Sequence, residues 1–220
     1  MHKTVLLTRD TNITEPPSNI VIDPNITSIT LGDIHGNTML LIHALMFVGI
    51  LTPRTKGLYH KLYSIYQIND NPKTTKQFSR LLKQFDVNNS VKIRLLGDDL
   101  SDRGSNDFYT LELYSMLLSN GVDLSVVLSN HNLEFIMYCE SLINVDWYAP
   151  TLSRECRVSL SPVINMVTSD KTKTLTSIKK IKSYLNMYIK LIKVIDYIHS
   201  DDSISIFTHA PVDLQFVKKL

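Results

Sequence analysis

Hydrophobic positions along this chain alternate between short β-rich runs and longer runs with helical spacing. The short runs predict buried strands at residues 26–31, 91–96, 124–128 and 203–207. The longer runs predict a helix after each of the first three strands, at residues 38–50, 107–118 and 133–143. This alternation of strands and helices is typical of an α/β fold.

Two segments depart from this alternation. Residues 52–89 contain Pro53, Gly57, Pro72 and several tyrosines, and we predict a partly helical insertion near the entrance of a site there. Residues 171–200 carry apolar side chains at helical spacing with lysines between them, which predicts an amphipathic helix packed on the domain. A helix that binds a membrane surface or a partner is the alternative. We expect a single domain over residues 1–220, with insertions at about 52–89 and 145–200.

Composition and charge narrow the class of protein. The 23 basic and 21 acidic residues give a net charge of +2, which argues against a nucleic-acid-binding platform. Two cysteines are too few for a disulfide framework or a cysteine-based zinc finger, so we expect a reducing compartment, with a single disulfide bridge as the alternative. Residues 1–10 lack the apolar core of a secretory signal, and the apolar run at residues 39–51 is too short to span a bilayer. We expect a cytoplasmic protein without an integral membrane segment, and the sequence leaves its oligomeric state open.

Each predicted strand ends in a short polar cluster. Because ligands of open α/β sheets bind outside the carboxyl ends of the strands, we expect the four clusters to meet at one rim of the sheet. An isolated Gly-Asp pair is more often a capped turn, but four successive clusters rich in metal-ligand side chains indicate a site. The clusters are Gly32-Asp33-Ile34-His35-Gly36, Gly97-Asp98-Asp99-Leu100-Ser101-Asp102-Arg103-Gly104, Ser129-Asn130-His131 and Thr208-His209-Ala210-Pro211.

The donor types in these clusters suit two divalent cations. Asp33 and His35 lie two positions apart, so on an extended strand end both side chains would face the same side. Carboxylate and imidazole together suit Mn, Fe or Zn, and a carboxylate such as that of Asp98 has two oxygens with which to bridge two ions. Asn130 adds an amide oxygen and His209 a further imidazole. The sequence therefore predicts a two-metal site, with manganese as the preferred ion.

Three side chains of the clusters suit a phosphate group and a proton. Arg103 can donate paired hydrogen bonds to phosphoryl oxygens. His131 adjoins Asn130 and could protonate a leaving oxygen, with Asp102 holding its imidazole in the required tautomer. The alternative for Asp102 and Arg103 is an ion pair on the protein surface.

The clusters resemble the motifs of the calcineurin-like metallophosphoesterases, whose pattern is Gly-Asp-x-His-Gly, Gly-Asp-x-x-Asp-Arg-Gly, Asn-His and a strand-borne His. Residues 26–139 and 203–212 carry the resemblance, and the Asp-Arg-Gly form is most similar to the phosphoprotein phosphatase (PPP) branch. The resemblance implies a four-layer sandwich of mixed β-sheets flanked by helices. It also implies Asp33, His35 and Asp98 as ligands of one metal, and Asp98, Asn130 and His209 as ligands of the other.

The same resemblance implies roles in a reaction. A hydroxide that bridges the metals would attack phosphorus in line, without a phospho-enzyme. Arg103, Asn130 and His131 would bind the phosphate group, and His131, oriented by Asp102, would act as general acid.

The chain departs from the family pattern in several places. The third motif usually reads Gly-Asn-His-Glu, whereas this chain has Asn132 in place of the acid, for which Glu134 is a candidate replacement. Ala210-Pro211 stands where the branch often has Gly-Gly. The chain ends at Leu220, before the further metal-binding His and the second phosphate-binding Arg that the resemblance implies. We therefore expect a C-terminal truncation, a recruited residue or a weakly bound second metal.

Three histidines lie outside the motifs and are unassigned candidates for the last ligand: His43, His60 and His199. We expect His43 to be packed in an apolar helix, and His199 to end a helix, where its charge would suit the dipole.

The leading hypothesis is a binuclear-metal phosphatase, a hydrolase of phosphomonoesters. The expected substrate is phosphoserine or phosphothreonine in a protein or peptide, with phosphotyrosine as an alternative. Thiolate phosphatase chemistry is excluded because neither Cys139 nor Cys156 has an Arg six positions later. The competing hypotheses are a dinucleoside polyphosphate hydrolase of the same superfamily and a catalytically weak phosphatase-like scaffold. The Asn-, Ile- and Lys-rich composition fits an AT-rich genome, and a bacterial effector delivered into a host cell is one hypothesis for its origin.

Overall fold

The computed structural model describes residues 11–18, 25–68, 72–104, 106–144, 152–168, 174–200 and 202–211. The expectation about residues 1–10 lies outside this part. The described helices are α1 (Thr38–Phe47), α2 (Leu58–Ile68), α3 (Pro72–Leu82), α4 (Asp107–Ser119), α5 (Asn130–Ile143), α6 (Arg154–Thr168) and α7 (Thr174–Ile189). The described strands are β1 (Ser28–Leu31), β2 (Leu51–Pro53), β3 (Phe85–Val87), β4 (Lys92–Leu95), β5 (Leu124–Val127), β6 (Ile192–Lys193), β7 (Asp196–Ser200) and β8 (Ser203–Phe207). None of these helices has the length and apolar character that crossing a membrane requires.

Four parallel strands form the central sheet, in the order β1-β4-β5-β6. Strand β5 has the sequence Leu-Ser-Val-Val and is buried along its whole length, as an interior strand of a covered parallel sheet must be. Helices flank the sheet and share one hydrophobic core with it. The mixed α/β fold predicted from the hydrophobic pattern is therefore confirmed.

The first three predicted strands and their helices are present, with ends that differ by up to three residues. Helix α1 ends at Phe47 because Gly49, with φ +71°, turns the chain into β2. The third helix begins at Asn130 rather than residue 133, because Ser129 closes a capping box with Asn132. Asn130 and His131 consequently lie on the first turn of a helix.

The prediction of one helix over residues 171–200 is wrong beyond Ile189. Helix α7 ends there, and the chain continues as β6 and β7. Strand β6 joins the parallel sheet, where the N–H of Val126 donates to the carbonyl of Leu191 at 2.9 Å. Apolar spacing alone does not separate a short buried strand from a continuing helix. His199 therefore lies in β7 and does not end a helix.

The predicted strand at residues 203–207 exists, but it lies outside the central sheet. It pairs antiparallel with β7 in a two-stranded hairpin. Arg94 of β4 fixes this hairpin to the sheet: its side chain is fully buried, and its Nε donates to Asp196 Oδ2 at 2.5 Å. The guanidinium also lies 4.0 Å from the ring centroid of Phe207. The residues that follow Phe207 are thereby brought to the carboxyl end of the sheet.

The segment at residues 52–89 is partly helical, as predicted, and contributes to the core. It contains α2 and α3, and β3 returns to pair antiparallel with β2. Phe78 of α3 stacks on Tyr109 of α4 with ring centroids 4.2 Å apart. These helices are thus part of the packed domain.

Candidate active site

The loops that follow β1, β4 and β5 are joined by hydrogen bonds at one rim of the sheet. The N–H groups of Ile34 and His35 donate to the Asp98 carbonyl at 3.2 and 2.7 Å, and the N–H of Gly36 donates to the Asp99 carbonyl at 2.8 Å. The N–H of Asp98 donates to Ser129 Oγ at 2.9 Å. The first three polar clusters are therefore held together by hydrogen bonds, from backbone to backbone between the first two and from backbone to a side chain between the second and third.

Gly97 lies where the second, third and fourth clusters meet. Its φ is +91°, and a Cβ there would lie 2.8 Å from Ser129 Cβ, 2.9 Å from His209 Nδ1 and 2.9 Å from the Val127 carbonyl oxygen. A side chain at this position would be strained and would also displace backbone. Glycine at position 97 is therefore required for the fourth cluster to approach the other two.

Asp33 and His35 lie close together, but not because they extend a strand. This differs from the geometry that their two-residue spacing led us to expect. Strand β1 ends at Leu31, and His35 has a φ of +47°. This left-handed turn brings His35 Nε2 to 4.0 Å from Asp33 Oδ2. Asp98 has the same φ of +47°, so two non-glycine candidate ligands have a costly backbone conformation, as is common at functional sites.

The second motif contains one residue more than the family pattern. Three residues, rather than two, separate Asp98 from Asp102. Ser101 and Asp102 both have positive φ, of 65° and 69°, and the N–H of Ser101 donates to the buried Asp107 Oδ1 at 3.0 Å. The extra residue is accommodated by this left-handed turn.

Candidate metal donors converge at this rim. One donor atom from each of Asp33, His35 and Asp98 lies within 4.8 Å of the others. His209 Nε2 lies 3.6 Å from Asp98 Oδ1, although the two do not form a hydrogen bond. Asp98 Oδ1 is buried and has no hydrogen-bond partner among the described residues. An unpartnered buried carboxylate oxygen between two imidazoles fits a shared cation better than a hydrogen-bond network.

The hydrogen bonding of His209 and the protonation of His35 suit metal binding. His209 Nδ1 lies 2.8 Å from the Leu96 carbonyl and donates to it, so Nε2 faces Asp98. Burial, followed by the charge of Arg103, lowers the pKa of His35 below its ordinary value. The His35 imidazole is therefore favoured in the neutral form that coordinates a metal.

Arg103 contacts two of the other predicted site residues. Its Nε donates to Asp102 Oδ2 at 2.8 Å, and its Nη2 lies 2.5 Å from His35 Nε2. About half of its side chain is exposed. Coordination of a metal by His35 Nε2 requires Arg103 to leave this nitrogen, which would free the guanidinium for a phosphate group.

The expected pairing of Asp102 with His131 is not the contact that the structure displays. Asp102 Oδ2 lies 3.3 Å from His35 Nδ1, with His131 also within 4.8 Å of both residues. The nearest carboxylate to His131 Nδ1 is that of Glu134, at 3.6 Å, and His131 Nε2 lies 4.0 Å from Asp98 Oδ2. Glu134 lies one turn after His131 on α5, so the two side chains share one face of the helix.

Asn130 is exposed at the start of α5, next to the capping residue Ser129. Asn132, which stands in the place of the family acid, is fully buried and donates through Nδ2 to Asp99 Oδ1 at 2.5 Å. The hydroxyls of Tyr114 and Tyr188 donate to the same carboxylate at 2.6 and 2.7 Å. A buried carboxylate is therefore present beside Asn132, but Asp99 supplies it, and Glu134 does not.

Sequence reasoning missed Asp99, Ser129 and Cys156 as residues that support the site. Asp99 lies inside the second motif, and its position next to Asp98 was the available signal. Ser129 with Asn132 has the spacing of a capping box. Nothing in the sequence indicates that Sγ of Cys156, on α6, lies 3.8 Å from Nδ1 of His131.

None of the three unassigned histidines takes part in the site among the described residues. His43 is buried in α1 near Tyr59, as expected for a packed histidine. His60 pairs with Glu15 at 3.5 Å. His199 is exposed on β7.

Comparison with known proteins gives two findings. The family model described as "WipA-like, phosphatase domain" matches residues 92–220, more than half of the chain and all motifs after the first. The crystal structure of the phosphatase domain from the Legionella effector WipB has a similar fold, with a TM-score of 0.66 and 24% sequence identity. That alignment covers 88% of this chain and 70% of the other. No curated protein matches the chain significantly.

Proposed function

The chain belongs to the WipA-like phosphatase domain family, and from that premise we propose that it is a metal-dependent hydrolase of phosphomonoesters with PPP-type chemistry. The observation that carries this proposal is the convergence of the Asp33, His35, Asp98 and His209 donors on one rim of the sheet. The four-layer arrangement of the calcineurin-like fold belongs to the same proposal. The hairpin that Arg94 attaches to the sheet supports it as the start of a second sheet.

The proposed metal ligands are Asp33, His35 and Asp98 for one ion, and Asp98, Asn130 and His209 for the other. Asp98 lies between His35 and His209, which suits a bridging carboxylate. Two divalent cations, manganese in preference to iron or zinc, would supply positive charge for the phosphoryl oxygens and acidify water.

The chain's own residues would then bind phosphate and move a proton. Arg103 is half exposed and its guanidinium already reaches the ligand His35, so a small movement would direct it at a phosphate held there. His131 Nε2 faces the ligands while Nδ1 faces Glu134. Protonated at Nε2, His131 would give that proton to the leaving oxygen.

A phosphorylated protein is the proposed substrate class. Asp33 and Arg103 are each about half exposed, and Asn130 is exposed, so the site opens at the surface. A surface site admits a phosphoserine or phosphothreonine side chain that projects from a folded protein, and phosphotyrosine would also fit such an opening.

Two observations support a proposal about the compartment in which the protein acts. Cys139 and Cys156 are both free and buried, which suits a reducing environment. WipB is described as a Legionella effector, and we extend to this chain the proposal of a bacterial phosphatase that acts in the cytoplasm of a host cell.

Turnover of p-nitrophenyl phosphate and of phosphopeptides, with manganese and with EDTA, tests the proposal. We expect hydrolysis that depends on manganese. Asp98→Asn should lower kcat/KM by about 100-fold or more, because it weakens the binding of the cations whose charge would stabilise the transition state. Asp123→Asn, at a surface carboxylate whose contact is with Lys92, is the matched control and should retain activity.

Three results would contradict the proposal. Full activity of Asp98→Asn would refute the metal assignment. Absence of turnover by the wild-type protein with metal bound would favour the phosphatase-like scaffold. Preferential cleavage of dinucleoside polyphosphates would favour the alternative hydrolase.

A further inference from the structure

Three different donor types meet on the side of His131 that faces away from the proposed metal pair. Nδ1 of His131, Oε2 of Glu134 and Sγ of Cys156 lie within 4.8 Å of one another, and we name these three residues the Cys156 cluster. His131 and Glu134 are three residues apart on α5, so they share one face of the helix. Cys156 is fully buried and comes from α6.

The separations within the Cys156 cluster are close to those of ligands around one tetrahedral ion. Sγ lies 3.1 Å from Glu134 Oε2 and 3.8 Å from His131 Nδ1, and the nitrogen lies 3.6 Å from the same oxygen. Zinc bonds of about 2.0–2.3 Å at tetrahedral angles place ligand atoms about 3.4–3.6 Å apart. Each observed separation is within about 0.5 Å of that range, so small side-chain movements would bring the three atoms to a common zinc ion.

A hydrogen bond explains only part of this arrangement. Burial raises the pKa of the Cys156 thiol to about 11, so the thiol is protonated near neutral pH and donates to Glu134. That bond accounts for the contact between sulfur and oxygen. It does not account for the 3.6 Å between His131 Nδ1 and Glu134 Oε2, which is too long for a normal N–H···O bond. The 3.8 Å between the same nitrogen and Cys156 Sγ is a long hydrogen bond to sulfur.

We propose that the Cys156 cluster is a zinc-binding site that controls His131. Thiolate, imidazole and carboxylate are the donors that zinc takes in sites with three protein ligands, with water in the fourth position. Binding releases the thiol proton to solvent, because the coordinating sulfur is a thiolate. Glu134 is 40% exposed, which gives an ion a route to the buried sulfur.

The consequence for activity rests on the proposed function. Zinc on Nδ1 would tie the His131 ring to Glu134 and Cys156, so the ring could not move toward the leaving oxygen of a bound substrate. A zinc-loaded Cys156 cluster would therefore inhibit the phosphatase while leaving its metal ligands in place. The site would make turnover sensitive to free zinc.

Cobalt binding tests the site without reference to activity. Cobalt(II) replaces zinc in tetrahedral sites, and a thiolate ligand adds a sulfur-to-cobalt charge-transfer band in the near ultraviolet that oxygen and nitrogen ligands do not produce. We expect this band in the wild-type protein and in Cys139→Ala, which removes the other buried cysteine. Cys156→Ala should abolish this band. Glu134→Gln should weaken the binding of cobalt and zinc by at least about ten-fold, because loss of even a residue that only hydrogen-bonds a metal ligand has an effect of this size. Circular dichroism establishes that each variant is folded.

Zinc titration of manganese-supported turnover tests the regulatory role. Relative to each protein's own activity, inhibition should require at least about ten-fold more zinc in folded Cys156→Ala than in wild type or Cys139→Ala. A wild-type protein without the cobalt–sulfur band would overturn the site. A protein with the band but equal zinc inhibition of all three forms would overturn the control of His131. An inactive protein that retains the band would contradict the proposed function and the regulatory role, but leave the zinc site standing.

Discussion

At the scale of single residues, the candidate site depends on imidazoles whose two nitrogens contact different partners. His209 binds the Leu96 carbonyl with one nitrogen and faces Asp98 with the other. His131 faces Asp98 on one side and Glu134 on the other. The choice of partner at one nitrogen thus decides what the opposite nitrogen can bind.

Replacement of His209 tests this principle. His209→Ala should weaken binding of the second manganese ion by about 10–100-fold or more, because a proposed ligand is lost. His199→Ala is the matched control, since this histidine is exposed on β7, in the hairpin that precedes His209. Isothermal titration with manganese measures both, and equal affinities would remove His209 from the ligand set.

Replacement of Gly97 separates crowding from backbone strain. Gly97→Ala and Gly57→Ala both place a side chain at positive φ, which costs about 1–2 kcal/mol. A Cβ at Gly57 meets nothing within 4 Å, whereas one at Gly97 meets Ser129, His209 and the Val127 carbonyl. Urea unfolding should therefore give a distinctly larger loss of stability for Gly97→Ala, and similar losses would contradict the crowded rim.

Single residues also define what could be predicted from the sequence. The motifs singled out Asp33, His35, Asp98 and His209 as candidate ligands, and the structure brings their donor atoms to one rim. They did not indicate that the Asp102 carboxylate lies beside His35, because the motif does not specify the left-handed φ angles of Ser101 and Asp102.

At the scale of elements, the hairpin of β7 and β8 must be attached to the sheet for His209 to reach the rim. The buried ion pair of Arg94 and Asp196 attaches the hairpin. Ser125 Oγ also donates to Asp196 Oδ2 at 3.2 Å, and Lys193 Nζ donates to Asp196 Oδ1 at 3.1 Å. Burial raises the pKa of Asp196, but hydrogen bonds from Arg94 and Lys193 outweigh it, so the pKa lies below its ordinary value. The pair therefore stabilises the fold when Asp196 is charged.

Asp196→Asn tests the attachment of the hairpin. It should lower the free energy of unfolding by about 3–5 kcal/mol near neutral pH, because Arg94 is left buried without its counter-charge. Asp86→Asn, which breaks an exposed pair with Arg54, should cost about 0–1 kcal/mol.

The pH dependence of the same variant has a defined sign. Since the folded pKa of Asp196 lies below 3.8, its stabilisation is complete above the unfolded pKa and is lost as pH falls through the folded value. The difference between wild type and Asp196→Asn in the free energy of unfolding, measured by chemical denaturation, should therefore become smaller below about pH 4. A free-energy difference that does not change with pH would contradict the stabilising role of the Arg94–Asp196 pair. A loss of stability no larger than that of Asp86→Asn would contradict it as well.

At the scale of the whole molecule, a buried polar network connects the rim to three helices. Asp99 in the second cluster accepts hydrogen bonds from Tyr114 of α4, Asn132 of α5 and Tyr188 of α7. Asp99, Asn132 and both tyrosines are buried, so each depends on the others for its hydrogen bonds. The position of the rim is thus coupled to the packing of the helices.

Tyr188→Phe tests this network. It removes one donor to Asp99 and should lower the free energy of unfolding by about 1–3 kcal/mol, since a buried acceptor loses a partner. Tyr197→Phe, at an exposed tyrosine of the hairpin, should change stability by less than about 0.5 kcal/mol. Urea unfolding compares them, and equal effects would argue against the network.

The sequence by itself determined the first three strand–helix pairs and the identity of the candidate ligands. Both are local properties, since an apolar run selects an element and a motif joins residues close in the chain. Only the tertiary structure decided that residues 192–193 complete the sheet, that Arg94 holds the hairpin carrying His209, and that Cys156 meets His131. These contacts join residues far apart in the chain, and their free energy comes from partners that no local pattern specifies.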